Sequence, residues 1–235
     1  MKLNGFVGKG SGKLGSSVFA ISGGEQIVRQ YNPQVSNPQT DAQVKQRAKF
    51  KLLSQIAADL ANVLAFAKDK LKSARNQFVS KNMPLVSYED GEASVPVYNL
   101  QISAGSKEIP NLEAQRAANN KVNLNLASSA KDDCDAIVYV VIERTADNRL
   151  HVTETKVVTE PDDGSFPTSA DAPEGIFDVL AYGVKFTSAT AKTKFDDYMV
   201  QLNDENAILT INPASLLSGG ITTATAGVEV ESAGD

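Results

Sequence analysis

The chain has few of the residue types that enzymes and metalloproteins use most. Its 235 residues contain one cysteine, Cys134, one histidine, His151, and no tryptophan. A disulfide within the chain and a zinc site built from cysteines are therefore excluded. Two groups of aspartates lack the ligand spacing and the late glutamate of a calcium loop; they are Asp132, Asp133 and Asp135, and Asp162 and Asp163. We predict no catalytic, metal-binding or cofactor-binding residues, and a protein that is not an enzyme.

Long apolar runs are missing as well. No stretch of about 18 apolar residues occurs, so the sequence predicts no membrane-spanning segment and no membrane partner. The first fifteen residues are rich in lysine and glycine and lack the apolar core of a signal peptide. We expect synthesis in a cytosol, and a soluble protein or a component of a soluble assembly.

The glycines near the start match a nucleotide-binding pattern only in letters. Gly10 to Gly15 fit G-x-G-x-x-G, but that motif must follow a buried strand and open a helix. Here the next residues, 16–31, form two strand-like runs around Gly23 and Gly24, which predicts a β-hairpin. A phosphate-binding loop fails too, because Leu14 follows Lys13 where Ser or Thr is needed. The glycines instead allow positive φ angles or close approach to another surface.

Charge is divided unevenly along the chain. Residues 1–82 carry 13 Lys and Arg against 4 Asp and Glu, whereas residues 83–235 carry 10 against 24. Such a division points to partners and not to a fold. The basic part faces nucleic acid or the acidic half of a neighbouring copy, or it is an ordinary solvated helix face. The basic half of the chain has no aromatic residues placed to stack on bases and no known nucleic-acid-binding motif. Both points argue against a dedicated nucleic-acid-binding role.

The segment 37–82 predicts one long amphipathic helix. Asn37 and Pro38 are helix-start residues, and Thr40 with Gln43 forms a second capping box. The apolar residues then recur every three or four positions; they are Leu53, Ile56, Ala57, Leu60, Val63, Leu64, Ala67, Leu71, Ala74 and Phe78. A continuous helix would be roughly 60 Å long, so it either breaks once, near Ala67–Lys70, or projects toward a partner.

The remaining segments complete an α+β prediction. Residues 1–36 are a glycine-rich arm with the hairpin, 83–212 are an antiparallel immunoglobulin-like β-sandwich, and 213–235 are a flexible tail. Residues 189–202 form an insertion with one short helix. The sandwich strands are predicted at 95–103, 121–127, 135–144, 150–158, 176–186 and 206–212, with 137–142 at the centre.

Residues 5–82 contain four distinctive sequence elements: a glycine-rich start at 12–18, Ile27-Val28-Arg29, N-P-x-T-x-x-Q-x-x-Q-R-x-x-F from Asn37 to Phe50, and Ser73–Phe78 followed by Asn82. In these elements the segment resembles a family of uncharacterised proteins from Bacteroidota and their phages. The hairpin lacks the family's tryptophan. Part of this signature recurs in virion proteins of tailed phages, including crAss-like phages. The resemblance implies that Arg29, Gln43, Gln46 and Arg47 order the helix start against the hairpin or a neighbour; the alternative is that they only cap and solvate the helix.

These observations lead to three functional hypotheses. The first is a structural ring or connector protein at the portal or tail of a phage virion, assembled in the bacterial host cytoplasm. It would contact itself head to tail, the portal or a neighbouring ring protein, and incidentally packaged DNA. The others are a capsid decoration or head-fibre base protein, and a host surface- or glycan-binding module using Tyr139, Tyr182 or Tyr198. The predicted subunit-interface residues are Lys9, Lys13, Arg29, Gln43, Gln46, Arg47, Lys68, Lys72 and Arg75.

Overall fold

The computed structural model describes most of the chain, and the described residues form two compact units, Met1–Gln43 and Val44–Asp235. The described residues are 11–22, 24–34, 39–66, 72–105, 112–126, 134–147, 149–159, 166–186, 188–202, 220–222 and 225–231. The fold is α+β, with mainly antiparallel sheets.

The first unit contains a three-stranded antiparallel sheet. Its strands are β1 (Gly12–Leu14), β2 (Ser17–Ser22) and β3 (Glu25–Gln30), in the order β1-β2-β3. Strands β2 and β3 form the hairpin that the sequence predicts, and Gly24 in its turn has a φ of 79°. Glycine adopts this left-handed conformation without a steric penalty.

Two helices replace the single long helix expected over 37–82. Helix α1 spans Asp41–Asp59 and α2 spans Ala74–Asn82, with non-helical backbone at 60–66. The expected break near Ala67–Lys70 lies outside the described residues. Seven of the ten predicted apolar positions are confirmed as core, namely Leu53, Ile56, Ala57, Leu60, Val63, Leu64 and Phe78. Ala74 is half-buried, and Ala67 and Leu71 lie outside the described residues.

The two helices run antiparallel to each other in the second unit. The amide of Gln46 near the start of α1 lies 3.7 Å from the sulfur of Met83, just after α2. Lys49 donates to the carbonyl of Val86, and near the other end Arg75 donates to the carbonyl of Ser54 at 3.4 Å. The chain therefore doubles back, and α1 does not continue as a rod through residue 82.

The described residues of the second unit form ten strands. They are β4 (Ser87–Glu89), β5 (Glu92–Ser94), β6 (Leu112–Ala117), β7 (Lys121–Leu126), β8 (Ala136–Arg144), β9 (Leu150–Thr159), β10 (Thr168–Asp171), β11 (Phe177–Phe186), β12 (Gly220–Thr222) and β13 (Ala226–Val230). One sheet has the order β10-β7-β6, and the other has the order β12-β11-β8-β9 with β13 also paired to β11; β4 and β5 form a separate hairpin.

The prediction for the strands is confirmed in the centre of this unit and differs at its borders. Strands β7, β8, β9 and β11 lie where expected, and α3 occupies Ala189–Leu202 as proposed. Residues 95–103 are not a strand: a 3-10 turn spans Val97–Asn99, and Ser103 forms only an isolated bridge. Strands β6 and β10 were not predicted. The expected strand at 206–212 lies outside the described residues. The segment 213–235, predicted to be a flexible tail, contains β12 and β13.

The central sheet is covered on both faces. Every residue of β8 from Ala136 to Ile142 is buried, whichever face its side chain takes. On one face the buried Tyr139 hydroxyl donates to the carbonyl of Phe166 at 2.6 Å, next to β7. Burial raises the pKa of this phenol. On the other face Gly227 of β13 lies under the backbone of Tyr98, where an added Cβ would approach the carbonyl oxygen to 2.0 Å.

A buried polar network joins the helical layer to the last strand. The side chain of Asn82 donates to the carbonyls of Phe78 and Gln101, both at 2.9 Å, and accepts from the Gln101 N–H at 2.8 Å. The Gln101 side chain exchanges two 3.1 Å hydrogen bonds with the backbone of Thr225. The Thr225 hydroxyl accepts from the N–H groups of Ile102 and Ser103 at 2.9 and 3.1 Å. These bonds satisfy irregular backbone that no sheet pairs.

An ion cluster holds the end of the central sheet. Arg144 makes two hydrogen bonds, of 2.8 and 2.9 Å, to the fully buried Asp178, and one of 2.7 Å to Glu229. Burial raises the pKa of the Asp178 carboxyl, and the Arg144 hydrogen bonds oppose that rise. The pKa of Arg144 is raised chiefly by the same hydrogen bond. Arg144 and the backbone of Tyr98 therefore favour the charged form of Asp178 and partly offset the effect of burial on its pKa.

We expect Asn82→Ala to lower the free energy of unfolding by about 2–3 kcal/mol, because it leaves the backbone of Gln101 without partners. Urea unfolding would measure the loss. Asn76→Ala is the matched control in the same helix, since the Asn76 side chain is exposed. The hydrogen bond from the Asn76 backbone N–H to the Ser73 hydroxyl is kept in this variant. Equal losses in the two variants would show that the network contributes nothing.

Arg144→Met should lower the free energy of unfolding by about 3 kcal/mol at pH 7, because it leaves Asp178 buried and unpaired. The pKa of Asp178 then rises further, so stability is retained at low pH and lost as the pH rises through that pKa. The deficit should be smaller near pH 5 than near pH 8. Glu229→Gln, which removes the more exposed partner, is the control. A deficit independent of pH would refute this account of Asp178.

Candidate functional site

Two of the predicted interface residues share one face of the first unit's sheet. Lys13 pairs with Val18, and Val18 pairs with Arg29, so the three side chains form one row across the strands. With strands about 4.8 Å apart, Lys13 and Arg29 are separated by roughly 10 Å. The ammonium of Lys13 also lies 3.6 Å from the ring centroid of Tyr31. The structure therefore brings two predicted cations together, one of them on an aromatic face.

The opposite face of the same sheet carries the polar residues Ser17, Gln26 and Gln30, of which Gln26 is buried. The same face also carries four apolar side chains by register and alternation, those of Leu14, Phe19, Ile21 and Val28. None of the four is buried, and Leu14 and Ile21 are 73% and 49% exposed. We refer to these four residues as the apolar face of the N-terminal sheet. This apolar face was not predicted from the sequence, although the period-two alternation of Phe19 with Ile21 is typical of a strand with one apolar face.

Five of the other predicted interface residues lie on or directly before the described helices α1 and α2. Gln43, Gln46 and Arg47 occupy the first half of α1, and all three are exposed. Gln46 contacts Met83 and Arg75 contacts Ser54, so these two stabilise the antiparallel helix pair. Lys72 is exposed immediately before the Ser73 cap of α2. The remaining two, Lys9 and Lys68, lie outside the described residues.

The first half of α1 is more exposed than its sequence suggests. Residues 41–47 are exposed, and further along Phe50 keeps 55% of its surface exposed. Lys45 lies 5.8 Å from the ring centroid of Tyr88. The buried apolar residues begin only at Leu53, so this half of the helix presents cations and one large aromatic ring to solvent.

Groups that could carry chemistry do not converge in the described part of the chain. His151 is exposed, Cys134 is buried, and the described residues contain no group of three His, Cys, Asp or Glu able to hold a metal ion. Of the tyrosines considered for glycan contact, Tyr139 and Tyr182 are buried and cannot stack on a sugar. Among the described helices none is long and apolar enough to cross a membrane.

A cleft of the second unit lies along the outer edge of β9. Its volume is about 810 Å³, and its lining consists of residues 150–156, Asp59, Asn62, Val63 and Asp171. At one end Asp59 accepts hydrogen bonds from Arg149 at 3.0 Å and from the Leu150 N–H at 3.2 Å. At the other wall Glu154 accepts from the Asp171 N–H and pairs with Lys156 at 2.5 Å. The cleft therefore combines a strand edge with carboxylates.

Asp171 is the most exposed carboxylate of this cleft. Its pKa is lowered, first by its hydrogen bond to Lys121 and then by the charge of that lysine, and the pKa of Lys121 is raised by the same hydrogen bond. Both side chains are largely exposed, so the pair contributes little to stability. Its effect is to keep a negative charge on the cleft wall at low pH.

We expect Lys121→Met to raise the pKa of Asp171 toward the ordinary aspartate value, because both the hydrogen bond and the favourable charge are lost. Carboxyl chemical shifts followed through an NMR pH titration would measure this change. Stability that depends on the pair should disappear as the pH falls through the lowered pKa of Asp171 in the wild type. Lys185→Met is the control, since Lys185 lies on β11; an unchanged Asp171 titration in Lys121→Met would contradict the assignment.

Comparison with known proteins adds no family assignment. The sequence matches no protein-family model and no curated protein. The functional conclusion below therefore depends on the surfaces just described and on the resemblance of residues 5–82.

Proposed function

We propose that this protein is a non-enzymatic structural subunit of a tailed-phage virion that forms a ring or connector at the portal or tail. Its copies contact one another head to tail. The observation that carries the proposal is the apolar face of the N-terminal sheet. The resemblance of residues 5–82 to phage and Bacteroidota proteins supplies the virion context.

The apolar face needs a cover that the described residues do not provide. Small sheets are stable in water only when an apolar face is packed against another element. Here Leu14 and Ile21 remain largely exposed, with the half-buried Phe19 and Val28 beside them. Exposed apolar patches of this kind mark interaction surfaces. A neighbouring copy of the chain is the cover we propose.

The division of charge favours a head-to-tail arrangement. In such an arrangement different surfaces of two copies meet, and the contact closes a ring when the rotation allows it. Positive residues of the arm and α1, including Lys13, Arg29 and Arg47, would face the acidic sandwich of the next copy. Opposite potentials at an interface increase the association rate and fix the orientation.

The strand order supports an immunoglobulin-like arrangement for the sandwich. Three strands, β6, β7 and β10, form one sheet, and β13, β11, β8 and β9 lie side by side in the other. In chain order this corresponds to strands A, B and E facing G, F, C and C′ of that architecture. The cysteine pair and tryptophan of antibody domains are absent from the sequence.

We expect the purified wild-type protein to form a discrete oligomer in light scattering, and Ile21→Lys to weaken assembly at least tenfold by placing a charge on the apolar face. Ile176→Lys is the matched control, because Ile176 lies outside the N-terminal sheet and is 51% exposed, close to the 49% of Ile21. A wild type that is monomeric at every salt concentration would refute self-association. In virions, a ring protein should be present in about a dozen copies, whereas a decoration protein would be present in hundreds.

A further inference from the structure

We propose that the outer edge of β9 is the acceptor site for an extended strand from the N-terminal sheet of a second copy, with β3 as the added strand. This inference rests on the proposed self-association and names the surface at which the next copy docks. The added strand would extend the central sheet of one subunit with an edge strand of another.

The first observation is the open edge itself. Strand β9 is ten residues long, and in the described part of the chain it pairs only with β8. The cleft follows residues 150–156 of this strand, which alternate between the two faces of the sheet except at the bulge around Thr153. An occupant that contacts successive residues in this way runs along the edge. Backbone groups on such an edge recognise another extended strand by main-chain hydrogen bonds.

The second observation is that the edge is only partly protected. Natural edge strands are shielded by bulges, charges or covering elements. Strand β9 has a bulge opposite Val141 and Ile142, and the Leu150 N–H already donates a hydrogen bond to the Asp59 carboxylate. Beyond these features the cleft is open between the turn at 59–63 and Asp171. A single bulge re-aims an edge locally but leaves the residues on either side available for pairing.

The third observation identifies the occupant. Residues 1–34 contain four cations and one carboxylate, whereas the cleft lining contains three carboxylates and one lysine. Asp59 is neutralised by Arg149, but the pairs of Glu154 and Asp171 are partly exposed and can be exchanged for a partner's cation. Strand β3 is six residues long, about 20 Å, and carries the exposed Arg29; the cleft floor of seven residues spans about 23 Å.

Cross-linking between two differently labelled copies tests this pairing. One copy carries Arg29→Cys and the other carries His151→Cys or Thr153→Cys, all in a Cys134→Ala background. A short bismaleimide joins cysteines without requiring a particular register. The control partner carries Ser169→Cys, which lies on the exposed side of strand β10 in the β10-β7-β6 sheet. These four positions are exposed, so the substitutions should preserve folding.

We expect a cross-linked heterodimer with a cysteine on β9, in at least fivefold greater yield than with Ser169→Cys. Light scattering on the same mixtures reports assembly independently. Assembly with no cross-link to β9, or with equal yields at β9 and position 169, would overturn this inference and leave the proposed function standing. Absence of assembly would overturn both. Hydrogen exchange gives a second measurement: those amides of residues 151–156 that do not pair with β8 should be more protected in the oligomer than in the Ile21→Lys monomer.

Discussion

Burial of the central sheet on both faces is the constraint on which the rest of the second unit depends. Strands β8 and β11 are apolar at nearly every position, so each face requires its own covering layer. The β10-β7-β6 sheet packs on one face through Phe166 and Tyr139, and the backbone of Tyr98 packs on the other at Gly227. Each fully buried aliphatic or aromatic side chain contributes about 1.5–3 kcal/mol. The helical segment does not project as a rod: α2 folds back along α1, and Asn82 links it to Gln101, which in turn bonds Thr225.

This requirement decides which surfaces remain available for partners. The buried residues of α1 all lie in its second half, whereas most of its first half, with Arg47 and Phe50, is exposed. Arg144, Asp178 and Glu229 form the most buried ion cluster described, yet their role is to hold the end of a sheet. The surfaces left for function are the N-terminal sheet, the start of α1 and the cleft beside β9.

Two features of the described chain are incomplete in ways that a second copy can remedy. The N-terminal sheet has an apolar face without a cover, and the central sheet has a long edge without a neighbour. Closed assemblies commonly remove both problems, because a docked strand satisfies backbone groups while its face buries apolar surface. The basic charge of the first segment and the acidic lining of the cleft give such a contact a direction. Ion pairs at the surface add specificity more than affinity.

Local pattern was sufficient to predict the β2–β3 hairpin, the core positions Leu53, Ile56 and Phe78, the strands β7, β8, β9 and β11, and helix α3. In these segments the spacing of apolar and polar residues along the chain is enough to identify a helix or a strand, and that spacing can be read directly from the sequence. Only the tertiary structure decided that α1 ends at Asp59, where Arg149, ninety residues away, contacts its carboxylate. It also made strands of β6, β10 and β13, whose short or polar sequences have little intrinsic preference and become strands by pairing. The candidate site divides in the same way: the cations could be recognised from sequence, whereas the apolar face and the β9 edge depend on register and on which strands are left without neighbours.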